Sequence, residues 1–132
     1  MAIRLNNLEA LLLATNRLSE AEPLMRRALE IDEASYGKDH PVVATLLNNL
    51  AQLLQATNRL SEAEPLMRRA LEIFLLFSRH TGHQHPHLRA AVMNYVALLE
   101  AMELPLPEII EKLTSLGPEP LAILLGSHGT GQ

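Results

Sequence analysis

Four histidines, His80, His83, His85 and His87, fall within eight residues and suggest metal chemistry, because imidazole is a common ligand. A dedicated zinc site needs three or four ligands held in a closed array. The tract contains no carboxylate and the chain no cysteine, and His85 is matched elsewhere by His40 at a helix start. A solvated loop is therefore expected, with no metal and no cofactor. The lack of cysteine also removes thiolate nucleophiles and disulfides. A serine or threonine nucleophile would need a positioned histidine beside it, and no such pair stands out, so the chain reads as non-enzymatic. Arg26-Arg27 and Arg68-Arg69 could hold phosphate, but Glu22, Glu30, Glu64 and Glu72 surround them.

Chemistry being sparse, the function lies in the surface that the elements build. The chain has 132 residues, 48% apolar and 20% charged, with a formal net charge of −4. That length suits one domain with an adequate core. Leucine supplies 28 positions and aromatics only 3%, a composition of aliphatic helices rather than β-branched and aromatic strands. Mild acidity argues against a nucleic-acid partner, which needs clustered, uncompensated Lys and Arg. No run approaches 18 apolar residues, so no membrane span is read, and Met1 to Asn7 lacks the features of a signal peptide. A cytoplasmic location is expected.

The chain is internally duplicated. Leu5 to Ile31 and Leu47 to Ile73 agree at 24 of 27 positions with a shift of 42, differing at Glu9/Ala51, Ala10/Gln52 and Leu13/Gln55. Leu47, Leu50, Leu53 and Leu54 form an apolar stripe, which Ala56-Thr57-Asn58-Arg59 interrupts. A second helix follows, with Ser61 and Glu64 spaced as a capping box and Pro65 in its first turn; Ser19, Glu22 and Pro23 are the equivalents. Glu22 to Arg26 and Glu64 to Arg68 are spaced as i,i+4 ion pairs. His40-Pro41 and His85-Pro86 open the next first-type helices. Aligning the two His-Pro pairs implies a three-residue insertion and a worn third copy, over His85 to Ala101 and then Leu106 to Leu113. A lone helix hairpin cannot bury its stripe, whereas stacked hairpins share one core.

The runs Leu47-Asn48-Asn49-Leu50-Ala51, Ala63 to Ile73, and Tyr36-Gly37-Lys38-Asp39-His40-Pro41 resemble tetratricopeptide repeats, specifically the 42-residue type of kinesin light chains. The resemblance implies an all-α solenoid, a right-handed stack of three hairpins with about six helices. Repeats fall at about 1–39, 40–84 and 85–116, followed by a 117–132 segment that is apolar over 121–125 and then a disordered tail. It also implies a protein or peptide partner, taken as a peptide or helix in a concave groove made by the first helices. Groove positions would be Asn6, Asn7, Leu13, Thr45, Asn48, Asn49, Gln52, Gln55, Met93 and Asn94. Asparagine costs roughly 0.5 kcal/mol against alanine inside a helix, so Asn48-Asn49 needs a reason. Clamping a ligand's main-chain amides is one, and holding neighbouring helices in register is another. The column Asn7, Asn49, Asn94 extends into the divergent copy.

The third copy departs from the family. Val96 replaces the small residue at Ala51, and Ile109 and Leu116 replace those at Ala63 and Ala70, so the third hairpin should pack with wider or shifted spacing. Phe74-Leu75-Leu76-Phe77 replaces the polar Asp32-Glu33-Ala34-Ser35. Either Leu121 to Leu125 folds back over it, or it joins the N-terminal hairpin as the self-association surface of a homodimer.

Overall fold

A computed structural model of the chain describes residues 18–126, and all regular structure among them is helical. The six helices are α1 (Leu18–Tyr36), α2 (Pro41–Ala56), α3 (Leu60–Thr81), α4 (Leu88–Ala101), α5 (Leu106–Thr114) and α6 (Glu119–Gly126). The helix expected to begin near Leu5, the groove positions Asn6, Asn7 and Leu13, the capping side chain of Ser19, and the 127–132 tail lie outside the described residues. α2 packs between α1 and α3, and α3 packs in turn against α4. This is the serial stacking that a duplicated hairpin demands, since each helix finds its apolar partner only in its neighbours.

α2 begins as the His-Pro pair predicts. Pro41 occupies an opening position, and His40, in extended conformation, accepts the Val42 amide on Nδ1 at 3.0 Å. The helix ends in a Schellman turn, with the Arg59 amide bonded to the Leu54 carbonyl at 2.7 Å and the Asn58 amide to Gln55 at 3.0 Å. Asn58 takes the left-handed conformation at φ 62, which asparagine tolerates better than most residues.

That tight turn corrects the expected start of the next helix. α3 opens at Leu60 with Arg59 as N-cap and no side-chain cap bond, so Ser61 lies inside the helix and the expected capping box does not form. Pro65 is consequently the sixth residue, beyond the first turn. The three-residue insertion appears as added helix, with α3 running 22 residues against 19 for α1. The second His-Pro pair also differs from expectation. His85-Pro86 forms a turn, and α4 starts only at Leu88.

The core is continuous, running from Ala21 and Met25 through Leu47, Leu50 and Leu54 to Met67, Leu71, Phe74, Tyr95 and Leu98. Ala51, Ala63 and Ala70 are fully buried in the α2–α3 hairpin, the most extensive helix contact, where small side chains permit close approach. In the third hairpin Ile109 and Leu116 are buried at the corresponding positions, and α4 meets α5 only lightly. α6 packs against both, supplying Leu121, Ile123 and Leu124 to the edge of the core. Gly117 makes this possible. At φ 113 it turns the chain into α6, and a Cβ there would strike the Arg79 guanidinium.

A second Schellman turn ends α4, but with Glu103 at φ 63 in the place Asn58 fills. A left-handed glutamate is strained, while glycine adds unfolded-state entropy. Glu103→Gly is expected to stabilise the chain by about 0.5 kcal/mol net. Urea denaturation checks this, and a clear loss of stability would show that the Glu103 side chain matters more than its backbone.

Candidate functional site

The described groove positions lie on α2 and α4, two helices that each pack on α3. On α2, Asn48, Gln52 and Gln55 follow at helical spacing, with Thr45 and Asn49 alongside. Gln52 is exposed and the other four are half-buried. On α4, Met93 is 43% exposed and Asn94 half-buried, with Ala90 and Ala97 open to solvent beside them. The Thr45 hydroxyl donates back to the Pro41 carbonyl at 3.3 Å. α2 carries no Asp, Glu, Lys or Arg along its whole length. Its outer face therefore offers neutral hydrogen-bonding groups and no fixed charge. Asn48 Oδ1 is sealed from solvent and finds no hydrogen-bond partner among the described residues, an unusual state for a buried acceptor.

Charge is concentrated instead on arginines that tie helices together. Arg59 bridges Glu22 of α1 at 2.6 Å and Glu62 of α3 at 2.7 Å. Its guanidinium holds both carboxyls below their usual range. Arg69 reaches Glu33 at 2.8 Å and the Lys38 carbonyl at 3.0 Å. Arg79 grips Glu119 at 2.7 Å and the Leu116 carbonyl at 2.8 Å, fastening α3 to the start of α6 and holding the Glu119 carboxyl low. The i,i+4 pair Glu22–Arg26 forms at 2.9 Å as expected. The pair Glu64–Arg68 does not: Glu64 accepts the Tyr95 hydroxyl at 2.6 Å, while Arg68 turns to Tyr95, Ser115 and Glu72.

Tyr95 is the residue that sequence reasoning overlooked. It is wholly buried, and burial first, then the Glu64 hydrogen bond, push its hydroxyl up to about 12. The available signal was a polar-tipped aromatic set in an otherwise aliphatic stripe.

Phe74 and Leu75 are buried in the chain's own core at 2% and 1% exposure, Phe77 is half-buried, and Leu76 is at the surface. The cover on the two phenyl rings is histidine: the His85 ring lies 4.6 Å from Phe74 and 4.8 Å from Phe77, with His87 6.1 Å from Phe74. Leu121 to Leu125, expected to fold back over these rings, forms α6 and packs on α4 and α5. His80 and His83 are exposed, and among the described residues no three His, Cys, Asp or Glu converge as a metal site.

Serially packed helix hairpins with a duplicated sequence define a helical repeat solenoid. The chain belongs to the tetratricopeptide repeat family, whose model matches residues 2–75, more than half its length. The match spans the two near-identical copies and ends within α3, short of the third, divergent hairpin. No curated relative matches the chain. Repeats of this family mediate protein–protein interaction, which makes protein partners the class to seek. Among the described residues no helix is long and apolar enough to cross a membrane.

Proposed function

We propose that the chain is a cytoplasmic, non-enzymatic interaction module of the 42-residue, kinesin light chain-like repeat type. Its α2 and α4 faces bind a peptide or helix, and equivalence of sequence between the repeats adds Asn6, Asn7 and Leu13 to the proposed site. The observation that carries this is the charge-free amide face of α2, Thr45, Asn48, Asn49, Gln52 and Gln55, together with the exposed Met93 of α4. Amides offer donor and acceptor together, which suits a ligand's main chain, and methionine adapts to varied apolar side chains.

Selection from a displayed random-peptide library against the full chain, followed by calorimetry, tests this. Asn49→Ala is expected to weaken a selected peptide about tenfold, the loss of one or two hydrogen bonds. Arg26→Ala, away from this face, should leave affinity unchanged. Failure to select any peptide, or equal effects of the two substitutions, would overturn the reading. A homodimer would draw on the first hairpin and on Phe74–Phe77. Since Phe74 and Leu75 are buried, it would have to use Leu76 and the rim of Phe77. Light scattering on wild type and Leu76→Glu separates the two readings.

A further inference from the structure

His85 sits at the joint between α3 and α4, where the second hairpin hands over to the third. Its Nδ1 accepts the His87 amide at 3.0 Å, and its own amide donates to the Ser78 hydroxyl at 2.9 Å. Ser78 in turn donates to the Phe74 carbonyl at 2.9 Å. The imidazole is tilted 39° over Phe74 and meets Phe77 edge-on at 80°. Accepting on Nδ1 requires the uncharged ring with its proton on Nε2. The joint is therefore closed by one tautomer of one protonation state.

Protonation would undo it in three ways at once. Nδ1 would become a donor facing the His87 N–H. A charge would be placed in a partly desolvated site. A second imidazole, His87, lies 5.3 Å away, and its electrostatic influence disfavours a charged His85 ring. A cation over a phenyl face gains some attraction, but that gain does not restore the lost acceptor. Among the described residues the surroundings offer no compensating carboxylate. α3 presents Phe74, Phe77 and the Ser78 hydroxyl; Arg79 on that helix is turned to Glu119; His80, and Arg89 of α4, are exposed. The charge that reaches His85 is that of His87.

We propose that His85 is an acid-sensitive latch, so that on protonation of its ring the α3–α4 joint opens and the third hairpin loosens from the second while the α2–α3 hairpin stays packed. The sign follows from linkage. Burial first, and His87 second, hold the native His85 below the ordinary imidazole value. The unfolded or opened chain then binds the proton more readily. The latch's stabilisation is complete above the unfolded value of about 6.5 and is lost as pH falls through the lower native one. His40 provides an internal comparison. It makes the same Nδ1 bond, to Val42, but rests on a single exposed ring, Tyr36, at 4.7 Å.

The test is nuclear magnetic resonance on the full 15N-labelled chain from pH 8 to pH 4.5, with amide exchange corrected for intrinsic rates. His85 should show the Nε2–H tautomer at neutral pH and titrate below about 6.5. Protection of α4 amides should fall over the pH range in which His85 takes up its proton, while α2 amides hold. His85→Asn, which keeps an acceptor but cannot titrate, should abolish the acid step. An Nδ1–H tautomer, a His85 midpoint at or above about 6.5, or α4 opening at an unrelated midpoint would each overturn the latch. So would an acid step retained in His85→Asn. If that variant fails to fold, the wild-type tautomer and midpoints decide alone.

Discussion

Tyr95→Ala is expected to lower the unfolding free energy by about 4 kcal/mol, the middle of the range for truncating a buried aromatic. Tyr95 is fully buried and is the largest such side chain in the third hairpin. Its loss would open a cavity on α4, and α4 and α5 meet too lightly to collapse around it. The substitution also strips Glu64 of the hydroxyl it accepts and Arg68 of one acceptor. Tyr95→Phe separates these effects. It retains the ring and removes only the charge-assisted bond, for an expected cost of about 1.5 kcal/mol. Because the hydroxyl is pushed up to about 12, it remains a donor across the whole neutral range, and the Phe substitution should cost the same at pH 6 and pH 8. Urea denaturation followed by circular dichroism measures both. Repeat arrays also unfold by units, so Tyr95→Ala should lower the slope of the transition as the third hairpin melts ahead of the α2–α3 hairpin. A loss below about 2 kcal/mol with an unchanged slope would mean that the cavity is refilled by α6.

The architecture was legible because a duplication states its own period. Twenty-four identities at a shift of 42 fix which residues are equivalent, and leucine spacing then fixes which face each helix buries. Helix ends were less legible. Ser61 and Glu64 have the letters of a capping box, but the Schellman turn through Asn58 commits the chain to helix at Leu60, and a local signal yielded to the preceding turn. Ion pairs were read within one helix, where spacing is visible. Among the described residues Arg59, Arg69 and Arg79 instead reach across helices, and those distances exist only after folding. The Phe74–Phe77 stretch was marked as needing a cover, and the histidine turn lies against both of its phenyl rings. Nothing in the letters His-Pro-His announces that an imidazole will stack on a phenyl ring one helix end away. The amide face of α2 could be read for position, through the repeat, but not for the state of each atom. The unpaired oxygen of Asn48 is a property of the packed molecule.

That oxygen supports the second large prediction. Asn48→Ala is expected to raise the stability of the free chain by about 1 kcal/mol while weakening a groove-selected peptide about tenfold. Asparagine inside a helix is worth roughly 0.5 kcal/mol less than alanine, and a buried acceptor without a donor costs about 1–3 kcal/mol more. The lost contacts of a half-buried side chain offset part of that gain. A side chain that stabilised the array would show the opposite sign. Oδ1 breaks no hydrogen bond when it leaves its sealed position, so rotating the half-buried amide outward to meet a ligand's N–H exchanges an unpaired acceptor for a paired one. The free chain would then hold a small strain that binding releases, as sites built for a ligand often do. Urea denaturation of the variant without peptide, and calorimetry with it, read the two effects separately. Reduced stability with unaltered affinity would assign Asn48 to the superhelix and leave Asn49, Gln52 and Gln55 as the ligand-facing amides of α2.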